Sequence, residues 1–224
     1  MSAAKDKLRK RVFLVDDHPL VREWLTNLIN QQMDLTVCGE SETAPQALQA
    51  IAAAKPDIAV VDLSLKDSSG IELIKSLKES HPDVAVLVLS MHDESQYAER
   101  ALRAGAKGYV MKRETTRKVI EAIRRILEGR IYVSEKVAES MAGHVAQRKS
   151  SPDRSPVEQL SDRELEVFEM LGQGQGTRQI AESLRVSVKT VQAYCARIKE
   201  KLTLSSATEL LREAIRWNEA KNPR

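Results

Sequence analysis

Asp16 and Asp17 stand together directly after the apolar run VFLV, and Asp62 directly follows the apolar run IAVV. One carboxylate at the end of a strand is ordinary, but three brought to one place are not. At an effective dielectric of about 20, two unit charges about 4 Å apart repel by roughly 4 kcal/mol. Such a cluster needs a cation or a proton. Hard oxygen donors in incomplete number, leaving room for water and phosphate oxygens, suit Mg²⁺. Ser90, after VAVLVL, and Lys112, after GYVM, add a hydroxyl and an ammonium at the ends of two further apolar runs. Each residue alone has a plainer role. Asp17 before His18-Pro19 reads as a helix N-cap, and Ser90 and Lys112 read as surface residues. Only convergence makes a site.

Convergence depends on the elements that carry these residues. Up to residue 129, five short apolar runs alternate with amphipathic segments: VFLV then 19–31, LTVCGE then 44–54, IAVVDL then 70–79, VAVLVLS then 95–104, and GYVM then 115–128. Five strand-helix pairs predict a parallel sheet with helices on both faces. The continuous apolar character of IAVVDL and VAVLVLS is that of strands covered on both sides. In such a sheet the ligand crevice lies outside the carboxyl ends of the strands, where strand order reverses. If the first and third strands flank that point, Asp16, Asp17 and Asp62 meet there.

The length of 224 residues suits two domains better than one. No apolar run approaches the roughly 18 residues of a membrane helix, and the basic N-terminus lacks a signal-peptide core, so a cytoplasmic protein is expected. Cys38 and Cys195 are far apart and lack metal-ligand spacing, which indicates neither a disulfide framework nor a zinc site. The polar, Ser/Pro-containing stretch 144–159 marks an interdomain linker.

Beyond it, four helices follow from their start signals. Ser161 with Glu164, and Ser206 with Glu209, form S-x-x-E capping boxes; GTRQIAESL and SVKTVQAYCARIKEKL lie between them. The net charge of +3 hides a sharp separation: residues 176–202 hold six Lys/Arg against two Asp/Glu, while 158–175 hold one against five. That asymmetry fits a face built for a polyanion, although two solvated helix faces of opposite sign would read alike. In the third helix, Val188, Val191, Cys195, Ile198 and Leu202 form one apolar stripe. The opposite face centres on Ala193, with Lys189, Ala196, Arg197 and Glu200 around it and Gln192 at its edge. A helix so shaped can enter a major groove, Ala meeting thymine methyls and Gln192 pairing with adenine. Lys189, Arg197, Lys199 and Lys201 are candidate phosphate contacts.

The motifs DDHPLV, VVDLSL, LSMHDE, GYVMK, LSDRELEV and VSVKTVQ followed by ARIKEKL, in this order, resemble those of a two-component response regulator of the NarL/FixJ type. The resemblance implies an α/β receiver domain over 8–130, with a flavodoxin-like five-stranded parallel sheet and helices on both faces. It further implies a linker over 131–157 and an all-α, four-helix LuxR-type helix-turn-helix domain over 158–220. It makes Asp62 the phosphoacceptor served by a cognate histidine kinase, Asp17 the principal Mg²⁺ ligand, and Asp16 a ligand through water. The backbone carbonyl of Ser64 is a further ligand. Lys112 pairs with phosphoryl oxygens, and Ser90 and Tyr109 are the hydroxyl and aromatic switch positions, Tyr109 turning inward on phosphorylation. Arg113 stands where many receivers carry proline. Ser64 and His92 occupy positions that tune phosphoryl lifetime.

For the second domain the resemblance places base contacts on Gln192, Ala193 and Ala196, and backbone contacts on Thr177, Arg178, Lys189 and Thr190. Tyr194 replaces a common histidine. Pairing through the last helix, with Leu210, Leu211, Ala214 and Ile215 as candidates, implies a homodimer on double-stranded DNA carrying an inverted repeat. The expected function is a phosphorylation-controlled transcription regulator rather than an enzyme. Two rivals remain from the residues alone. One is a Mg²⁺-dependent phosphohydrolase with Asp62 as nucleophile, although Ser64 stands where such hydrolases carry a second aspartate. The other is a DNA-binding regulator whose receiver only dimerises.

Overall fold

The computed structural model describes residues 9–65, 69–147 and 156–221. The chain divides into two compact units, Met1–Lys149 and Ser150–Arg224.

The first unit is a five-stranded parallel sheet of order β2-β1-β3-β4-β5, built from β1 (Lys10–Val15), β2 (Leu35–Ser41), β3 (Ile58–Val61), β4 (Ala85–Ser90) and β5 (Gly108–Met111). Helices α1 (Pro19–Asn30), α2 (Ala44–Ala54), α3 (Gly70–Ser80), α4 (Glu94–Ala104) and α5 (Thr116–Leu127) connect and follow the strands. Strand order reverses between β1 and β3, so their carboxyl ends open the crevice that the sequence predicts. Side chains alternate across a strand. Val12, Leu14, Val60, Leu87, Leu89 and Val110 therefore share one face, packed with Leu25 and Ile29 of α1 and Ile123 and Ile126 of α5. Phe13, Val15, Ala59, Val61 and Val88 are buried on the other. Each large aliphatic side chain so covered contributes roughly 1.5–3 kcal/mol before entropy is set against it.

One stretch departs from the sequence reading. Residues 131–157 are predicted as linker, yet α6 (Glu135–Gln147) forms within them. The chain entering it is stitched to the sheet: Tyr109 N–H donates to Tyr132 O, and Tyr132 N–H donates to Lys107 O, both at 2.9 Å. Gly108 permits this approach, because a Cβ there would lie 2.7 Å from Tyr132 O. Ser134 Oγ then donates to Glu94 at the start of α4 (2.7 Å), and Val137 is buried.

The second unit opens on a 3-10 turn (Pro156–Gln159) and contains α7 (Asp162–Gly172), α8 (Thr177–Ser183), α9 (Val188–Lys201) and α10 (Ala207–Lys221). The Ser161–Glu164 capping box is complete. At Ser206 only one arm is as predicted: its Oγ accepts from Glu209 N, while the Glu209 carboxylate reaches back to Ser205 N at 2.8 Å. Leu165, Phe168, Ile180, Val191, Ile198, Leu210 and Ala214 are buried within this unit, and Trp217 stands 5.4 Å from Phe168 between ring centroids. Arg185, at φ +53°, makes the turn between α8 and α9. Among the described residues, no helix is long and apolar enough to cross a membrane.

Candidate functional site

The ladder between β1 and β3 fixes the pocket. Asp62 N–H donates to Val15 O at 2.8 Å, which sets the end of β3 beside Asp16 and Asp17. Lys112 arrives from β5 with its N–H on Ser90 O at 2.8 Å. Asp16, Asp17 and Asp62 are 2%, 5% and 3% exposed, and one ligand atom from each, with one from His18, lie within 4.8 Å of one another. Lys112 Nζ bridges two of them, 2.6 Å from Asp16 Oδ2 and 2.7 Å from Asp62 Oδ2. Burial alone would lower the Lys112 pKa, but attraction from Asp62 and Asp16 outweighs it and raises the ammonium above its ordinary value.

Lys112 thus sets one positive charge against two of the three clustered carboxylates. Asp62 Oδ1 is buried and has no hydrogen-bond partner among the described residues. A buried, unsatisfied carboxylate oxygen beside two further acids is a donor set that a hard divalent ion fits. Asp17 is not the cap of α1: that place falls to His18, followed by Pro19 in the first turn. The aspartate is thus left to the pocket.

Ser90 is fully buried, and its Oγ accepts from His92 N at 3.2 Å. Tyr109 is turned inward in this structure, its hydroxyl donating to His92 O at 3.0 Å. His92 Nε2 lies 2.8 Å from Ser64 Oγ. The β4–α4 loop thus joins the hydroxyl position, the aromatic position and the residue two beyond Asp62 in one hydrogen-bonded group.

In the second unit the apolar stripe of α9 faces inward, with Val191 and Ile198 fully buried. Lys189, Gln192, Ala193, Ala196 and Arg197 are exposed together on the opposite side. The Arg197 guanidinium stands 5.8 Å from the Tyr194 ring centroid. At the start of α8 Arg178 is exposed and Thr177 half-buried; Thr190 is half-buried, its Oγ1 2.8 Å from Ser187 Oγ. Lys201 is placed differently. Its ammonium sits on Glu164 Oε2 at 2.6 Å and Gln159 O at 3.3 Å, so a phosphate would compete with that pair. The four residues expected at a dimer contact also divide. Leu210 and Ala214 are buried in their own domain, while Leu211 and Ile215 are 40% and 38% exposed.

Residues 12–124 match the response regulator receiver domain family, and residues 158–214 match the bacterial regulatory proteins of the luxR family. The chain belongs to the LuxR-type two-component response regulators. As a member it is a DNA-binding transcription regulator, not an enzyme. It is 35% identical over 210 residues to the oxygen regulatory protein NreC of Staphylococcus haemolyticus, covering 92% of this chain and 97% of that one. Among solved structures, a LuxR-family two-component response regulator from Aurantimonas sp. SI85-9A1 is 35% identical with a TM-score of 0.57, covering 62% of this chain and 99% of that one. RcsB, solved as two dimers bound to two parallel DNAs, is 25% identical with a TM-score of 0.55, covering 91% and 97%.

Three supports of the response regulator's pocket escape a sequence reading. Arg22 is buried on α1, donating to Asp16 O at 2.6 Å and to Glu42 at 2.7 Å, which braces the turn that carries both aspartates. Gly70 N–H donates to Leu63 O, and a Cβ at Gly70 would lie 2.2 Å from Asp62 O. His18 folds its ring back over Asp16 and Asp17. A glycine beginning the helix after VVDLSL is the one visible signal; Arg22 and His18 carry none.

Proposed function

We propose that Asp62 accepts a phosphoryl group from a histidine kinase and that the modified receiver controls binding of the second domain, as a dimer, to an inverted-repeat DNA site. The observation that carries this reading is the Asp62 carboxylate itself, with Oδ2 on Lys112 and Oδ1 buried without a hydrogen-bond partner among the described residues. In the transfer, an Asp62 oxygen forms a bond to phosphorus as the bond from phosphorus to the kinase imidazole nitrogen breaks. Such transfer through a loose, in-line transition state needs positioning and charge neutralisation. Asp16, Asp17, Asp62 and the Ser64 carbonyl would hold Mg²⁺, which when bound supplies charge for the phosphoryl oxygens. Lys112 supplies the second positive charge and exchanges part of its contact with Asp62 for the new oxygens. Ser90 offers its hydroxyl to the same group, so the β4–α4 loop feels the modification directly. Through His92, that loop is bonded to Tyr109 and Ser64. The switch is a shift between populations of one loop rather than the making of a new fold.

The dimeric, DNA-bound state solved for RcsB supports the second half of the reading. Gln192, Ala193 and Ala196 would meet base edges, and Thr177, Arg178, Lys189, Thr190 and Arg197 the backbone. Leu211 and Ile215, the exposed pair, would meet the partner. The absence of a membrane-spanning helix among the described residues agrees with a regulator working in the cytoplasm. The test is phosphorylation by acetyl phosphate with Mg²⁺, read on a phosphate-affinity gel. A shifted band in the native chain and none in Asp62→Asn is the expected result, and equal shifts in both would remove Asp62 from the role.

A further inference from the structure

His18 takes no part in the phosphoryl transfer, yet the structure seats it at the edge of the acidic group. His18 precedes Pro19 with an extended backbone (φ −95°, ψ 108°), the region to which a following proline restricts a residue. Its N–H donates to Asp16 Oδ1 at 2.9 Å. The ring lies over the strand ends, where Nδ1 is 2.7 Å from Asp17 Oδ1 and 3.2 Å from Asp16 Oδ1. The same residue completes the set whose ligand atoms fall within 4.8 Å of one another. The carboxylates are buried and Asp62 Oδ1 lacks a hydrogen-bond partner among the described residues, whereas the His18 side chain is 54% exposed at the solvent edge. An ion approaching the buried oxygens from solvent therefore meets an imidazole nitrogen within reach of the same point.

We infer that His18 is a nitrogen ligand that sets the ion selectivity of this pocket, favouring first-row transition ions such as Co²⁺ over Mg²⁺. The inference rests on the acidic pocket being the metal site proposed above. Carboxylate, carbonyl and water oxygens alone suit Mg²⁺, and an added imidazole moves the donor set toward the borderline ions that bind nitrogen well. Pro19 and the His18 N–H bond fix the backbone from which the ring projects, and the ring itself rests on Asp17 and Asp16.

The test uses the full chain in four forms: native, His18→Ala, His18→Asn and the double variant Asp17→Asn/Asp62→Asn. Calorimetric titration with Co²⁺ and with Mg²⁺ gives the affinity ratio, and Mn²⁺ electron spin-echo spectroscopy reads nitrogen coordination directly. His18→Ala is expected to weaken Co²⁺ by about tenfold or more and Mg²⁺ by less than about threefold, and to abolish the nitrogen signal. His18→Asn, which keeps a polar group before Pro19, separates loss of the ligand from loss of fold, and should lose the nitrogen signal with an unchanged circular dichroism spectrum. Mn²⁺ that binds, is displaced in the double aspartate variant and shows no nitrogen coupling overturns the inference alone. Mn²⁺ binding unchanged in the double variant overturns the acidic-pocket reading, and this inference with it.

Discussion

Lys201→Ala separates two roles that charge alone confuses. Lys201 sits in a basic segment, yet its ammonium lies 2.6 Å from a Glu164 carboxylate that is 3% exposed. That carboxylate also accepts from Ser161 N at 2.7 Å, so it pins the start of α7 to the end of α9. Burial works against the charged form of Glu164, but Lys201 and the two Ser161 bonds outweigh it and hold its pKa below the ordinary value. Removing one partner of a fully buried pair costs about 3–5 kcal/mol. Lys201 is more than a third exposed, so solvent and the remaining cap reduce this to about 1–2 kcal/mol. For a small domain that is a fall of roughly 4–16 °C in its melting transition, read by calorimetry on the full chain. The pair's contribution is present above the unfolded glutamate pKa and is lost as pH falls through the lower folded value. The native and variant transitions should therefore converge at strongly acidic pH. On DNA, the salt dependence of Lys201→Ala should stay close to native, while Lys189→Ala should flatten it by about one unit. An unchanged transition together with a slope reduced as far as in Lys189→Ala would refute the assignment.

Gly70→Ala forces a Cβ against Asp62 O and should destabilise the receiver by about 1–3 kcal/mol in denaturant titration and slow labelling by acetyl phosphate, with no effect on DNA affinity of the unmodified chain. Gln192→Ala should lower discrimination at one base position by about 1–3 kcal/mol in competition binding, while affinity for random duplex stays near native. Leu211→Glu should weaken dimer formation in sedimentation without moving the melting transition. Leu210→Ala should instead cost about 2–5 kcal/mol of domain stability, because that side chain is buried in its own unit.

The parallel sheet and its helices were legible because each strand is a short apolar run and each helix a periodic one. The helix predicted over 70–79 forms as Gly70–Ser80, and that over 95–104 as Glu94–Ala104. Asp16, Asp17, Asp62 and Lys112 were legible as a group because their position at strand ends follows from the same runs. Helix α6 was not, since among its described side chains only Val137 is buried and its docking depends on Tyr132 meeting the edge of β5 and Ser134 meeting Glu94. Arg22 and His18 act through partners that only the folded turn supplies. Lys201 and the four residues of α10 show the limit of a helical wheel: it gives the faces of one helix but not what already occupies them.

Control of DNA binding by a phosphoryl group on Asp62 is measured most directly as affinity for a selected inverted-repeat duplex with and without acetyl phosphate and Mg²⁺, in the native chain and in Asp62→Asn. A change in the native chain that Asp62→Asn abolishes is the expected result. An identical response in both chains, or none in either after labelling of the native chain is complete, would contradict it.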